Sequence, residues 1–322
     1  MGQERVPQRA EISVARPADF DSYWSAVLSE VAAVPLDPTL RHLRERSTAE
    51  VDVYEIHYSS LDNLRIAGWY CVPRPEHIEP PYPALILGPG YISEPALPKE
   101  WARLGYAALS LAPRGKLRSN ARFNPGYPGL LVNNIVDRNT YSYRGFYMDA
   151  CRGVDFAQAR PEVDASRIGV NGHSQGGALA IVIPALRPEA ITCSASGSPY
   201  LTDFFASARL THSYPYEEIN EYLRSHPSHE KRARDALAYF DCLNFAPTVR
   251  CPMLMYIGLA DDICPPETGL AAYTALQCEK QLLTAPGCSH EAGRRALNPQ
   301  IEAFLAAHLN PMSGALREVH CP

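Results

Sequence analysis

The stretch RIGVNGHSQGGALAIVIPAL, Arg167 to Leu186, changes character in its middle. Its first six residues carry Ile168 and Val170 in a short apolar run that reads as a buried strand. The last ten form an apolar helix that Pro188 must stop. Between them, Gly172-His173-Ser174-Gln175-Gly176 places a serine between two glycines at a sharp strand-to-helix turn. A serine hydroxyl is a weak nucleophile until a base takes its proton and a strained turn exposes its oxygen. The same serine at the mouth of a helix can instead cap an orphan amide. On this stretch alone, nucleophile and helix cap both stand.

A nucleophile of this kind needs an acid and then a histidine downstream, each in a loop that follows a strand of the same sheet. The strand MLMYIGL runs into Ala260-Asp261-Asp262, and the strand QLLTA runs into Pro286-Gly287-Cys288-Ser289-His290-Glu291. Ser174, Asp261 and His290 therefore form the candidate triad. Donors for a developing oxyanion would be the N–H of Gln175, after the serine, and that of Tyr91, in the loop Gly88-Pro89-Gly90-Tyr91 after the strand ALIL. A simple turn is the competing reading of that loop. His173 reads as a packing or lining residue, His226 and His229 as solvated residues without a third metal ligand, and Cys288 as structural.

The rest of the chain supplies a sheet to hold these loops. FDSYWSAVLSEV, Phe20 to Val31, sets Phe20, Trp24, Val27, Leu28 and Val31 on one helical face, with Asp19 or Asp21 near its start. Two alternating runs between Val51 and Val72 read as an antiparallel hairpin turning at Leu61-Asp62-Asn63. Strands follow at Ala84–Leu87 and Tyr106–Leu111, with a helical segment around Pro98 to Leu104 between them. Arg118 to Thr140 reads as a long irregular excursion that shapes a site or a contact. A helix over Arg144–Arg160 precedes the quoted strand. Tyr200 to Asn244 reads as a helical insertion, with helices near Tyr216–Arg224 and Ser228–Tyr239. The chain closes with a strand at Pro252–Leu259, a helix at Glu267–Leu276, a strand at Lys280–Ala285 and a helix near Gln300–His308. The predicted fold class is α/β: a mostly parallel sheet covered by helices on both faces, with antiparallel N-terminal edge strands. We expect one domain over residues 1–322, with a helical extension at about 17–34 and the insertion at about 200–244.

Composition narrows the function classes. The 322 residues are 46% hydrophobic and 20% charged, so they suit a globular chain, not a disordered one. A formal net charge of −5 offers no basic face for nucleic acid and fits a small neutral substrate better. The first twenty residues carry charges throughout and no apolar run of signal-peptide length, and no window reaches membrane-spanning length, so a cytoplasmic location is expected. Nine cysteines at wide spacing, without a C-x-x-C pair, read as scattered core residues and not as a disulfide framework or zinc site.

The longer phrases carry a resemblance. FDSYW, GYISE, the run YSYRGFYMDACRGVDFAQARPEVDASRIGVNGHSQGGALA, PYEEINEYLRSHP, YFDCLNFAPTVRCPMLMYIGLADDICPP and the pair His290-Glu291 resemble the acetyl xylan esterases and cephalosporin C deacetylases of carbohydrate esterase family seven. The resemblance implies the α/β-hydrolase fold and a serine hydrolase that removes small acyl groups, chiefly acetyl, from sugar hydroxyls and compact alcohols. It implies Ser174 as nucleophile, Asp261 as acid and His290 as base, with Tyr91 and Gln175 at the oxyanion, and Asp262 outside the triad. It further implies no metal or organic cofactor and assembly as a homohexamer. Hydrolysis is the expected activity; acyl transfer, or ligand binding without catalysis, is the alternative on the same fold. One departure stands out: the family's Arg-Gly-Gln motif is here Arg114-Gly115-Lys116, a cation in place of a neutral amide.

Overall fold

The computed structural model describes residues 12–119 and 121–311; the reading of the N-terminal residues as lacking a signal peptide falls mostly outside them. In chain order the elements begin with α1 (Phe20–Ala32), β1 (Thr39–His42), β2 (Val51–Ser59), β3 (Arg65–Pro73), β4 (Tyr82–Gly88), α2 (Lys99–Arg103) and β5 (Ala107–Ala112). They continue with α3 (Ser142–Gln158), β6 (Val163–His173), α4 (Gln175–Leu186), β7 (Cys193–Gly197), α5 (Phe204–Leu210), α6 (Glu217–Ser225), α7 (Glu230–Leu237) and α8 (Cys242–Phe245). The last are β8 (Met253–Gly258), α9 (Pro266–Ala275), β9 (Lys280–Ala285) and α10 (Arg294–Leu309). The strands make one sheet in the order β1-β2-β3-β5-β4-β6-β7-β8-β9. From β5 to β9 all neighbours are parallel; β1, β2, β3 and β5 pair antiparallel. This is the architecture the alternation of strands and helices predicts.

Two strands escape the sequence reading. β1 is a short, mostly exposed edge strand with little apolar signal. β7, in contrast, is central and fully buried, yet its sequence is CSASG. It lacks the β-branched and aromatic residues that mark a strand, because α4 lies almost on top of it. Ser194 Oγ donates to Ala180 O at 2.5 Å and Ser196 Oγ to Gly177 O at 2.8 Å, so the small hydroxyls satisfy helix carbonyls at close range. Between β7 and β8 the expected insertion is present as the four helices α5 to α8. α10 starts at Arg294, well before the expected Gln300, and runs through Pro299. Proline lacks an N–H and disfavours a helix interior, so the first turns of this helix run against the local signal.

On α1 the buried residues are Phe20, Trp24, Val27 and Val31, the face that the periodicity predicts, with Leu28 half-buried. Trp24 Nε1 donates to Tyr239 O at 2.9 Å, tying this helix to the end of the insertion. Neither acid caps the helix through its side chain. Asp19 accepts from Arg138 at 2.9 Å and from the Tyr239 hydroxyl, and Asp21 pairs with Arg16.

The site is positioned by a contact between backbones. A Cβ on Gly176 would lie 2.3 Å from Gly88 O, and one on Gly172 would lie 2.2 Å from Gly176 O. The ends of β4 and β6 and the first turn of α4 therefore touch where no side chain fits. Gly176→Ala should cost about 2–3 kcal/mol in urea unfolding, the upper range for overpacking a core. Gly287→Ala, at a loop position with φ +69 and nothing within 4 Å, should cost about 1 kcal/mol. Equal losses in the two variants would refute the close-contact reading.

Candidate active site

Ser174 is the residue between β6 and α4, and its backbone sits at φ 60, ψ −119. Non-glycine residues rarely adopt such angles, and they persist only where surrounding bonds over-determine them. Here the Ser174 N–H donates to Gly197 O at 2.9 Å, and its carbonyl accepts from Ala178 N and Tyr200 N, each at 3.0 Å. The side chain makes no capping hydrogen bond to α4. Of the two readings left open by the sequence, the helix cap is therefore the one the geometry removes.

Asp261 follows β8 and His290 follows β9, and their loops are joined. Ala260 N donates to Cys288 O at 2.9 Å and Leu259 N to Ala285 O at 3.1 Å. Gly258 makes room for this: a Cβ there would stand 2.1 Å from Ser289 O. His290 Nδ1 lies 2.9 Å from Asp261 Oδ2 and 3.2 Å from Oδ1. Oδ1 also accepts from the N–H groups of Ile263 at 2.9 Å and Cys264 at 2.8 Å. Burial by itself would raise the Asp261 carboxyl. The hydrogen bond and charge of His290, with those two amides, outweigh it and hold the group below its ordinary value. Asp262 takes no part in this: its Oδ1 accepts from Ser289 Oγ at 3.0 Å.

Ser174, His290 and Tyr91 line one cavity of about 970 Å³. Its walls also include Trp101 from α2, Tyr127 and Pro128 from the irregular excursion, and Tyr214 and Pro215 from the insertion. The 118–140 excursion thus does shape this site. Gln175 does not line the cavity through its side chain, which is fully buried and donates from Nε2 to Tyr143 OH at 2.8 Å. Its backbone N–H, in the first turn of α4, has no intrahelical acceptor, as at every helix start. Tyr91 is buried, and its N–H has no hydrogen-bond partner among the described residues. A second hollow, of about 740 Å³, lies between residues 13–19, α5 and α7, and contains none of these groups.

His173 both packs and lines. Its Nε2 donates to His290 O at 2.5 Å, and its ring stacks on Tyr256 at 5.8 Å between centroids. Burial first, then the nearby charges of His290 and Arg294, push it down to about 4, so it is neutral at neutral pH. Glu218, to which the sequence reading assigned no role, holds the cavity wall together. It accepts from Tyr91 OH at 2.7 Å and Gly129 N at 2.8 Å, joining α6, the loop Gly88–Tyr91 and the excursion. Burial raises its carboxyl above the ordinary value despite those two donors. An acid on an otherwise polar helix face, EEINEYLRS, gives no sequence signal of burial. His226 stacks on both Tyr222 and His229, away from this cavity. No group of three or more His, Cys, Asp or Glu among the described residues is placed to hold a metal ion. Cys264, next to Asp261, is a buried thiol raised well above its ordinary value by burial.

A doubly covered, mostly parallel sheet with a strained Ser174 at the central strand end, and an acid and a histidine after later strands, defines an α/β hydrolase. Acylaminoacyl peptidase from Pyrococcus horikoshii shares that fold, with a TM-score of 0.63 at 19% identity over 83% of this chain and 43% of that one. The acetyl xylan esterase (AXE1) family profile matches residues 9–308. The acetyl xylan esterase from Paenibacillus sp. R4 is similar with a TM-score of 0.87 and 31% identity, over 96% of this chain and 100% of that one. Acetyl xylan esterase 1 from Thermoanaerobacterium sp. JW/SL YS485 gives a TM-score of 0.82 and 27% identity, over 92% and 96%. In sequence the chain is 26% identical over 299 residues to acetyl esterase Axe7A of Xylanibacter ruminicola, covering 88% of this chain. It spans 66% of the length of that relative and 36% of the uncharacterized peptidase YuxL of Bacillus subtilis. The chain belongs to the acetyl xylan esterase family.

The two adjacent acids separate cleanly by test. Asp261→Asn should lower kcat for an activated acetate ester about 10³–10⁴-fold, the scale seen when a histidine loses the carboxylate that fixes its tautomer. Asp262→Asn should stay within about threefold of the parent. The reverse order would assign the acid to Asp262.

Proposed function

We propose that the protein is a carboxylic ester hydrolase of the serine type. It removes small acyl groups, chiefly acetyl, from the hydroxyls of O-acetylated sugars, short xylo-oligosaccharides or cephalosporin-like alcohols. The observation that carries this reading is the strained, uncapped Ser174 in the same cavity as a His290 whose Nδ1 is committed to a buried carboxylate.

With Nδ1 held by Asp261, His290 Nε2 is the nitrogen left to take the Ser174 proton as Oγ attacks the acyl carbonyl carbon. The amides of Tyr91 and Gln175 donate to the oxyanion as it forms. The alcohol then leaves with the proton from His290, and Ser174 carries the acetyl group. Water, deprotonated by the same imidazole, attacks that ester, and acetate departs as the proton returns to Ser174 Oγ. Asp261 stabilises the imidazolium in both halves, and side chains of this protein carry every proton transfer. A neutral His173 beside His290 adds no repelling charge when that cation forms. The family name, and the esters named for its relatives, support acetate as the acyl group.

We further propose a cytoplasmic homohexamer acting on small acetylated molecules, without nucleic-acid or membrane partners. No helix among the described residues is long and apolar enough to cross a membrane. The hexamer rests on the family resemblance alone, and particle size in solution tests it.

Ser174→Ala, with native circular dichroism, should lose at least 10³-fold in turnover of an activated acetate ester; undiminished turnover would overturn the nucleophile. Across acetyl to octanoyl esters, kcat/KM should be highest for acetyl and fall with length. A steady rise with chain length would sink the small-acyl assignment. Capture of the acyl group by an added alcohol in preference to water would establish transfer instead, and binding of acetylated sugars without turnover would establish a non-catalytic protein.

A further inference from the structure

Lys116 is a buried amine, 2% exposed, that the mechanism above does not use. It follows β5, outside the sheet strands that carry Ser174, Asp261 and His290. No carboxylate among the described residues pairs with it; the nearby Glu94 carboxylate is 3.2 Å from Arg118. Its Nζ instead donates to two backbone carbonyls, Gly90 O and Tyr91 O. The face of Tyr127 lies beneath the amine at 5.0 Å, and Tyr127 OH donates to Gly115 O at 2.6 Å, which steadies the turn carrying Lys116.

The first of those carbonyls matters most. Gly90 C=O and Tyr91 N–H are the two ends of one peptide unit, and that unit is trans, because the cis bonds of the described chain are three X-Pro bonds elsewhere. In a planar trans peptide the C=O and N–H point in opposite directions. A donor fixed on Gly90 O therefore turns Tyr91 N–H away from Lys116. That amide has no partner of its own, and the loop lines the cavity that holds Ser174. Drawing electron density toward the carbonyl oxygen also makes the opposite N–H a stronger donor, since linked hydrogen bonds polarise one another.

We propose that Lys116 is a positioning residue: it orients and polarises the Gly90–Tyr91 peptide so that the Tyr91 amide is aimed at the oxyanion before substrate arrives. This rests on the serine-hydrolase reading of the site and adds to it a role for the lysine that stands where the related motif has glutamine. Two carbonyls facing a buried amine, with no carboxylate in reach, are the arrangement of a loop clamp and not of an ion pair. Burial pushes the amine down to about 7, with the Glu94 charge acting the other way, and it is the protonated form that donates most strongly to the two carbonyls. The second bond, to Tyr91 O, holds the following peptide as well. Lys116 thus stabilises two consecutive units of the loop.

The test uses the full chain with Lys116→Met, Lys116→Gln and, as a control, Ser174→Ala. Lys116→Met should lower kcat on an activated acetate ester about 10- to 100-fold with KM within about twofold, somewhat less than deletion of an oxyanion donor outright. Affinity for a boronic acid that forms a tetrahedral adduct on the serine should fall in parallel. Lys116→Gln, whose neutral amide also donates to a carbonyl, should recover to within about threefold of the parent. Its acyl-enzyme carbonyl stretch in the infrared should lie higher than the parent's, reporting a less polarised acyl group. A folded Lys116→Met variant with unchanged kcat, or a loss confined to KM with adduct affinity intact, would overturn the proposal. If Lys116→Met does not fold, a Lys116→Gln variant matching the parent in both kcat and carbonyl stretch would overturn it equally. Retained turnover in Ser174→Ala would strike the serine-hydrolase reading instead, so the two failures are separable.

Discussion

The site depends on three glycines that let backbone meet backbone. Gly88 at the end of β4, Gly172 near the end of β6 and Gly176 in the first turn of α4 pack so closely that a single methyl on any of them would overlap its neighbour. This contact fixes the start of α4 directly over two strand ends, and a chain that must turn within so few residues cannot keep ordinary angles. Ser174 takes the strain, at φ 60 and ψ −119. Three backbone hydrogen bonds, to Gly197, Ala178 and Tyr200, offset it and prevent relaxation. The outcome is a side chain that makes no capping bond to α4 and lines the cavity, which is the condition a nucleophile requires and a helix cap does not meet.

The same use of small residues recurs where the other two groups of the constellation meet. Gly258 allows the histidine loop to lie on the end of β8, and two hydrogen bonds close the contact, so Asp261 and His290 are held by one joined structure. The carboxylate inside it is wholly enclosed, and burial by itself would favour the neutral acid. Two amides and an imidazole facing it reverse that preference. An acid that stays ionised while shielded from water exerts its charge on His290 with little screening. The imidazolium that forms on proton transfer is the species this arrangement favours.

Most of the fold and the chemical groups were legible from pattern. Strand runs ending in Gly-x-Ser-x-Gly, in Ala260-Asp261 and in Ser289-His290 carry their own signal, because a buried parallel strand is apolar throughout and its terminal loop is not. β7 was not legible, since CSASG is shaped by the helix above it and owes nothing to strand propensity. Glu218 was hidden for a related reason: within EEINEYLRS it reads as a surface acid, and only the approach of Tyr91 and Gly129 from distant segments makes it a buried acceptor. Lys116 was visible as a departure from the family motif, but its partners are backbone carbonyls, which have no sequence signature. What pattern conveys is periodicity along one segment. What it omits is contact between segments that share no period.

That division also separates chemistry from selectivity. Ser174, Asp261 and His290 all stand at the ends of sheet strands, where register fixes them. The cavity walls come from elsewhere: Tyr127 and Pro128 from the long excursion, Tyr214 and Pro215 from the insertion, and Trp101 from α2. The excursion and the insertion meet at Tyr91, whose hydroxyl donates to Glu218 and accepts from Leu131 N at 3.0 Å, while its ring packs edge-on against Tyr127 and Tyr200. Changes in the walls can therefore reshape what enters without disturbing the strand-end groups, so long as Tyr91 is not displaced. Tyr91 is the exception because its side chain belongs to the wall while its amide, without a hydrogen-bond partner among the described residues, is the one proposed to serve the oxyanion. Lys116 acts at that junction. By holding the backbone of the loop independently of the tyrosine ring, it uncouples the aim of the amide from the packing of the wall.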